Sequence, residues 1–200
     1  MLSLIYLLAL SWHAFAKVPT NEERETIIKC HRKLREEVEP PASNMQLISY
    51  SEEMETLVVD LFRYCDRIFP QFDRRYNDVG IIELTSGDKV PQYRQLCKIN
   101  TTISDYDEDN CQKDSLIYLR MINAATTEVG CAMGKCMGET EYILCAYNNS
   151  VLRFKSRPYE PGTPCEKCPK GYECYRNQCR NKSLIIKQLQ IPQCIAKSEL

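Results

Sequence analysis

The stretch from Val129 to Tyr147, VGCAMGKCMGETEYILCAY, constrains the fold of this chain most. It contains two short apolar runs separated by a glycine-containing connection of hairpin-turn length. If the hairpin pairs in register, Cys131 and Cys145 can bridge its strands, and Cys136 is left to reach an element outside it. The sequence therefore predicts a crosslinked hairpin at the centre of a sheet, with helices packed on it.

The first sixteen residues, MLSLIYLLALSWHAFA, have the features of a secretory signal peptide. Their apolar run is too short for a transmembrane helix, and Ala14-Phe15-Ala16 fits the small-residue cleavage pattern. We expect the mature protein to begin at Lys17 and to be secreted to the extracellular space. No other long apolar run is present in the sequence, so no transmembrane segment is predicted.

Secretion decides how the twelve cysteines are interpreted. An even number of cysteines behind a signal peptide predicts six disulfides in an oxidising compartment. Zinc is the alternative for Cys165-x-x-Cys168, which has zinc-ligand spacing, but the compartment favours disulfides. Three Asn-x-Ser/Thr sequons are predicted acceptors for N-glycosylation: Asn100, Asn148 and Asn181.

The charge of the chain argues against two classes of partner. With 26 basic and 27 acidic residues, the formal net charge is −1. Nucleic-acid binders usually carry a basic excess, so no nucleic-acid partner is expected. The sequence also has no polybasic signature for an anionic membrane surface.

Local signals predict most of the helices. Thr20 and Glu23 form a capping box that starts an amphipathic helix over 21–38, ended by Pro40. A second helix begins after Ser51 and has an apolar stripe. Further elements are predicted as follows: a short strand over 45–50, a helix over 86–99 with Pro91 in its first turn, and a short buried helix over 116–123.

The composition changes after Tyr147, where a Pro- and Gly-containing linker precedes CEKCPKGYECYRNQC. Four cysteines in fifteen residues leave no room for a hydrophobic core, so crosslinks must hold this segment. We expect a separate cysteine-rich knob, followed by an apolar tail that Cys194 pins to the body. The predicted divisions are 1–16 for the signal peptide, 17–155 for the main domain, and 156–200 for the linker, knob and tail.

Four stretches together resemble the CAP superfamily of cysteine-rich secretory proteins, antigen five and pathogenesis-related proteins of group one. They occur in the family's order: His31-Arg32-Lys33-Leu34-Arg35 with Pro40 to Met45, Thr126 to Cys131 with Cys136, Leu144-Cys145-Ala146-Tyr147, and Arg157-Pro158-Tyr159 with Gly162 to Cys165. Within that superfamily the chain is most similar to venom-allergen-like proteins of parasites that have a short cysteine-rich hinge.

The resemblance implies an α+β fold, a three-layer α-β-α sandwich with a small disulfide-rich C-terminal hinge. It also implies four disulfides: Cys65–Cys136, Cys131–Cys145, Cys165–Cys174 and Cys168–Cys179. Sequence alone does not fix how the other cysteines pair. We expect Cys97–Cys111, which would close an acidic loop between residues 101 and 114, and Cys30–Cys194, which would anchor the tail to the first helix.

Many members of the family have a cleft in which two histidines and two glutamates can bind a divalent metal. By resemblance those positions are degenerate here: Phe69, Ile81, Gln95 and Ile117. We therefore expect no metal, no cofactor, no catalytic residue and no enzymatic activity. The mature sequence has one histidine, His31, which shares a helix face with apolar residues and is predicted to be a core histidine.

The acidic loop from Thr101 to Asp114 has alternating aspartates that resemble the start of a calcium-binding loop. The glycine and the twelfth-position glutamate of an EF-hand are missing, with Leu116 at the latter position. We therefore predict a solvated acidic loop rather than a cation site.

Two functions follow from the degenerate cleft. An apolar cleft could accept a sterol or fatty acid, as relatives do. The candidate contacts are Phe69, Ile81, Leu116, Ile117 and Met121. Alternatively these side chains fill the cleft. The protein would then be an extracellular interaction module, of host-immune-modulating type, acting on a protein partner through its surface and hinge.

Overall fold

The computed structural model describes residues 16–64, 73–87, 89–99, 113–136, 140–150 and 157–183. Its helices are α1 (Asn21–Glu36), α2 (Glu52–Tyr64) and α3 (Lys113–Met121), with short 3-10 helices at Arg74–Tyr76 and Tyr93–Lys98. Its strands are β1 (Ser49–Tyr50), β2 (Gly80–Thr85), β3 (Glu128–Gly134), β4 (Tyr142–Tyr147), β5 (Tyr172–Tyr175) and β6 (Gln178–Asn181). None of the helices described is long and apolar enough to cross a membrane.

The predicted hairpin forms the middle of a four-stranded sheet with the order β1-β3-β4-β2. The strands β3 and β4 pair antiparallel, and Cys131 lies directly opposite Cys145. These two cysteines form a disulfide, as predicted, with their Cα atoms 4.1 Å apart. Every residue of β4 is buried, because helices cover both faces of this strand.

The sheet separates two hydrophobic clusters, which gives the predicted three-layer sandwich. On one face, α1, α3 and the 3-10 helix Tyr93–Lys98 pack on the side chains that share a face with Cys131 and Cys145. On the other face, α2 packs on the side chains between them. Gly130 allows α2 to approach closely, since a Cβ there would lie 2.5 Å from the Ser51 carbonyl oxygen.

The helix α1 starts as the sequence predicts and ends at Glu36 rather than at residue 38. Thr20 accepts a hydrogen bond from the backbone nitrogen of Glu23, and the Glu23 carboxylate accepts one from the backbone nitrogen of Thr20. Together these bonds satisfy two backbone donors at the helix start.

The predicted helix over 86–99 is wrong in its first half. Only Tyr93–Lys98 is helical, as a 3-10 helix that begins after Gln92. Pro91 disfavours helical backbone at Val90, and Gly87 has a positive φ of 61°. These two residues keep the chain irregular until Gln92.

Two of the expected disulfides are wrong. Cys30 pairs with Cys97, so neither Cys97–Cys111 nor Cys30–Cys194 can form. Cys30 lies on the buried face of α1, 2% exposed, and that face packs against the 3-10 helix that carries Cys97. The predicted Cys65–Cys136 pairing involves Cys65, which lies outside the described residues, as do Cys111 and Cys194.

The cysteine-rich segment is not a separate knob. Its disulfides Cys165–Cys174 and Cys168–Cys179 are the predicted ones. They hold the hairpin β5–β6, which also pairs with the main domain through a bridge between Gln46 and Cys179. The segment is therefore a hinge fixed on the body.

Candidate functional site

The predicted cleft residues on α3 lie in closed core. Ile117 is 8% exposed and Met121 is fully buried, and both belong to the cluster between the sheet and α1. Ile82, Tyr93 and Leu96 are buried in the same cluster. In this described part of the cleft, buried side chains pack against each other.

Ile81 is not part of that cluster, although the sequence placed it beside Ile117. In the sheet register Ile82 lies opposite Cys145 and Ile81 opposite Ala146, so they point to opposite faces. Ile81 packs against the α2 cluster instead. Ile82 is the cleft residue that sequence reasoning missed, and alternation from Cys145 across the paired strands is the signal that identifies it.

The other predicted positions do not complete a site. Leu116 is 37% exposed, and Phe69 lies outside the described residues. The Gln95 side chain accepts a hydrogen bond from the Gln92 backbone at 2.9 Å and donates one to the Ser86 hydroxyl, so it caps the 3-10 helix. Of the described ligand positions, Ile81 and Ile117 thus lie on opposite faces of the sheet, and Gln95 is used in a helix cap.

This residue set does not fit the divalent metal that the family implies. Two isoleucines offer no donor atom, and the amide of Gln95 is already used for capping. Among the described residues, no group of three histidine, cysteine or acidic side chains could hold a metal ion.

His31 is a core histidine, as predicted. Its Nδ1 lies 2.7 Å from the Ile27 carbonyl oxygen and its Nε2 lies 2.8 Å from the Tyr147 hydroxyl. The assigned pattern is that Nδ1–H donates to Ile27 and that Nε2 accepts from the Tyr147 O–H. Burial lowers the pKa of His31 to about 4 and raises the pKa of Tyr147 well above 10, so both are neutral at pH 7.

Arg35 is the buried polar residue that sequence reasoning missed. Its guanidinium, 1% exposed, donates to the carbonyl oxygens of four residues at 2.8 to 3.0 Å. These residues are Gln46, Met121, Asn123 and Thr126. Burial lowers the pKa of Arg35 to about 9. The side chain joins α1 to the end of α3 and to the segments just before β1 and β3.

A second polar network ties α1 to α2. The Glu55 carboxylate accepts from the Tyr50 hydroxyl at 2.5 Å and from Arg24 at 2.8 Å. The Tyr50 hydroxyl also lies 3.3 Å from the backbone of Cys131. Burial raises the pKa of the Tyr50 hydroxyl, and its hydrogen bond to Glu55 adds to this increase. Like Arg35, this network has a structural role.

A cavity of about 180 Å³ lies between α1 and the 3-10 helix. Its lining includes apolar side chains, the Cys30–Cys97 disulfide, and charged residues of α1. The lining residues are Cys30, Lys33, Leu34, Glu37, Leu96, Cys97 and Ile99. Lys33 and Glu37 are exposed, so the charged groups lie where the cavity meets solvent.

The hinge docks on the main domain through a buried glutamine and a short strand-like contact. The Gln178 side chain, fully buried, donates to the Arg32 carbonyl oxygen at 3.1 Å. The Cys179 backbone nitrogen donates to the Met45 oxygen at 2.7 Å, and the Leu47 nitrogen donates to the Cys179 oxygen at 2.9 Å. These contacts fix the direction in which the hairpin projects.

The tip of that hairpin presents an aromatic and basic surface. Tyr175 is 37% exposed, and the Arg180 guanidinium lies 4.2 Å from its ring centre. At the turn, Arg176 forms an ion pair with Glu36 of α1 at 2.6 Å. Residues 157–183 carry six basic and three acidic side chains, so the hinge is basic on a near-neutral protein.

Two of the three sequons lie in the described part of the chain. Asn148 follows β4, and Asn181 is the last residue of β6. Asn100 lies outside the described residues.

With the fold and site in place, the family can be assigned. A model of the CAP group, the cysteine-rich secretory protein family, matches residues 19–147. The chain belongs to the CAP family. The resemblance found in the sequence is thereby confirmed.

The CAP relatives are distant. Human "Peptidase inhibitor 16" is 25% identical over 169 residues, covering 80% of this chain and 36% of the relative. "Cysteine-rich secretory protein 1" of Macaca mulatta is 28% identical over 173 residues, covering 79% and 68%. This chain thus spans about a third of the length of the first of these two relatives. These names describe CAP proteins that are generally not enzymes.

Solved CAP structures agree with the fold. Na-ASP-1 matches with a TM-score of 0.64 at 18% identity, covering 81% of this chain and 48% of that one. NaASP2, solved with Zn²⁺, matches with a TM-score of 0.61 at 19% identity, covering 80% and 96%. At these identities the likeness establishes the architecture alone.

Proposed function

We propose that this CAP protein is secreted and non-enzymatic, and that it binds an extracellular protein through the tip of its hinge. The observation that carries the proposal is the pairing of a filled cleft with a fixed hinge. Ile82, Ile117 and Met121 leave little space in the described cleft. The hinge tip is held on α1 and exposes Tyr175 beside Arg180.

The composition of the hinge tip supports a protein partner. Tyrosine and arginine are enriched among the residues that contribute most to protein–protein binding, because each combines a large contact area with hydrogen-bonding groups. Docking through Gln178 and Cys179 lowers the entropy that the tip would lose on binding. Arg176 and Arg180 already form ion pairs within the protein. We therefore expect the partner to be complementary to the shape of the tip as well as to its charge.

Binding of the mature protein to cultured cells tests this function. Saturable binding measured by flow cytometry should be lost when surface proteins are removed with trypsin. The variant Tyr175→Ala/Arg180→Ala should reduce binding at least tenfold. The matched control Lys170→Ala changes an exposed hinge residue away from the tip and should bind normally. Binding that the double variant leaves unchanged would refute a role for the tip.

A fatty acid is the second candidate ligand, because of the cavity between α1 and the 3-10 helix. Leu34, Leu96 and Ile99 offer apolar contacts for part of an acyl chain, and Lys33 offers a positive charge for a carboxylate head. Against this, Glu37 also lines the cavity and most of the lining surface is polar. However, its volume of about 180 Å³ is below the roughly 300–1,000 Å³ of ordinary small-molecule sites. Only part of a long chain would fit, so this function ranks second.

Labelled palmitate and cholesterol distinguish the lipid functions. Saturable palmitate binding that is lost in Leu96→Trp and retained in Lys29→Ala would place a fatty acid in the cavity. Lys29 lies on an exposed part of the same helix and serves as the matched control. Binding lost instead in Ile117→Glu would indicate that the cleft opens for a lipid. Absence of binding at micromolar protein would remove the lipid function.

A further inference from the structure

The two described sequons, at Asn148 and Asn181, have different structural roles. The contacts that each asparagine side chain makes distinguish the two sites. An N-linked oligosaccharide is attached to the side-chain nitrogen of asparagine and needs an open path to solvent. The sugar replaces one of the two hydrogens on that nitrogen, so the asparagine keeps one N–H donor and its oxygen acceptor. The space around the nitrogen and the packing of the sequon therefore decide whether the folded site can hold the sugar.

The half-buried Asn148 side chain makes three hydrogen bonds in a cap that joins the end of β4 to the start of β3. Its oxygen accepts from the backbone nitrogens of Thr127 and Glu128 at 3.0 and 2.9 Å. Its nitrogen, the atom that would carry the glycan, donates to the Thr127 hydroxyl at 2.9 Å. A sugar on this nitrogen would be placed against Thr127.

The third residue of the same sequon is enclosed as well. Ser150 is fully buried, and its backbone nitrogen donates to the Asp78 carbonyl oxygen at 2.9 Å. Its side chain packs so tightly on β2 that a Cβ at Gly80 would lie 2.6 Å from its hydroxyl. The sequon around Asn148 is therefore packed at the end of the central strand β4, between the start of β3 and the start of β2.

The Asn181 amide is placed differently. Its oxygen accepts from the backbone nitrogen and hydroxyl of Ser183 at 2.9 and 2.8 Å, which orders the sequon locally. Its nitrogen has a single described contact, 3.5 Å from the Tyr172 hydroxyl, at the limit of a hydrogen bond. The next residues, Lys182 and Ser183, are exposed.

We infer that, of these two sequons, Asn181 carries the N-linked glycan and Asn148 is an unglycosylated structural cap. This inference rests on the proposed secretion, since the glycan is added in the secretory compartment. Asn181 pairs with Tyr172, at the opposite end of the hairpin from Tyr175 and the turn. A glycan there shields the base of the hinge and leaves the proposed contact surface at its tip open.

Glycan mapping on the full chain tests the inference. The protein is expressed in a glycosylating secretory cell line, and both the medium and the membrane-enclosed pool are digested with peptide N-glycosidase in ¹⁸O water. Peptide mass spectrometry should then find the ¹⁸O-labelled aspartate at 181 and unmodified asparagine at 148. A labelled aspartate at 148, or none at 181, would overturn the inference. If the glycan is found at 181 only on protein that is retained in the cells, the result would contradict the proposed secretion and would leave the glycan assignment standing.

Two matched sequon variants add a second readout. Ser183→Ala should lower the mass by one glycan, whereas Ser150→Ala should leave the glycan mass unchanged. Asn148→Gln should reduce the melting temperature by several degrees, because the longer side chain cannot make the three bonds of the cap. Asn181→Gln, compared with Ser183→Ala so that both proteins lack this glycan, should leave the melting temperature nearly unchanged. Equal effects of the two glutamine variants would refute the structural role of Asn148.

Discussion

Acid should destabilise this protein through a single buried side chain, His31. Its two ring nitrogens are bonded to Ile27 and Tyr147, and the ring is 0% exposed. Protonation would place an uncompensated charge in the core and remove the acceptor that Nε2 offers to the Tyr147 hydroxyl. The coulombic field of Arg35 adds to the cost of a positive charge there.

The pKa of His31 gives the size and direction of the effect. Its pKa is about 4 in the folded protein against 6.5 for an ordinary histidine. The unfolded chain therefore binds more protons between these values, so stability is full above pH 6.5 and is lost as the pH falls toward 4. At pH 5 the expected loss from this group is about 2 kcal/mol.

Urea unfolding of the oxidised protein spanning residues 17–200, at pH 7 and pH 5, measures this loss. His31→Gln should be less stable than the wild type at pH 7 but should lose at least 1 kcal/mol less on going to pH 5. Tyr147→Phe is the control, because it removes the hydroxyl partner and keeps the titrating ring. It should cost about 1–3 kcal/mol at pH 7 and retain the pH dependence.

Two results would refute this reasoning. One is an equal loss between pH 7 and pH 5 in the wild type and in His31→Gln. The other is a His31 ring that titrates near 6.5 by NMR in the folded protein. The assay is clean because the sequence from Lys17 onward contains one histidine.

Three further predictions concern stability and docking. Arg35→Met should lower the unfolding free energy by about 3–5 kcal/mol, because four carbonyl oxygens, in buried or partly buried bonds, lose their donor. Lys33→Met on the exposed face should change the unfolding free energy little, and equal effects of the two variants would contradict this role. Gly130→Ala should lower the unfolding free energy by about 3 kcal/mol or more, since its Cβ would meet the backbone at the start of α2. A melting temperature within about two degrees of the wild type, a difference on the order of experimental error, would exclude the close approach. Gln178→Ala should weaken the docking of the hinge on the main domain. The backbone amides of Cys179 and Leu47 should then exchange hydrogen faster, while the exchange rate of Ile143 stays unchanged. Uniformly faster exchange would instead indicate global destabilisation.

The sequence predicted those elements that short-range signals control. Thr20 and Glu23 lie three residues apart and form the capping box, so α1 begins where expected. Cys131 and Cys145 flank one turn and pair in register. The burial of His31 followed from its position on an apolar helix face.

The cleft could be predicted only in part. Ile117 and Met121 were identified, but the choice between Ile81 and Ile82 depends on how β2 aligns with β4. A shift of one residue reverses the face of every side chain in a strand, and the spacing of apolar residues in β2 alone does not reveal the register.

The sequence by itself indicated the α-β-α class of this CAP protein, because four stretches in the family's order carry the resemblance that implies this fold. Local turn signals and cysteine spacing added the crosslinked hairpin at its centre. Tertiary structure alone decided that Cys30 pairs with Cys97 and that Arg35 binds carbonyl groups from distant segments. It also decided that Gln178 fixes the hinge to α1. These contacts join residues far apart in the chain, and only the packing of helices on the sheet brings them together.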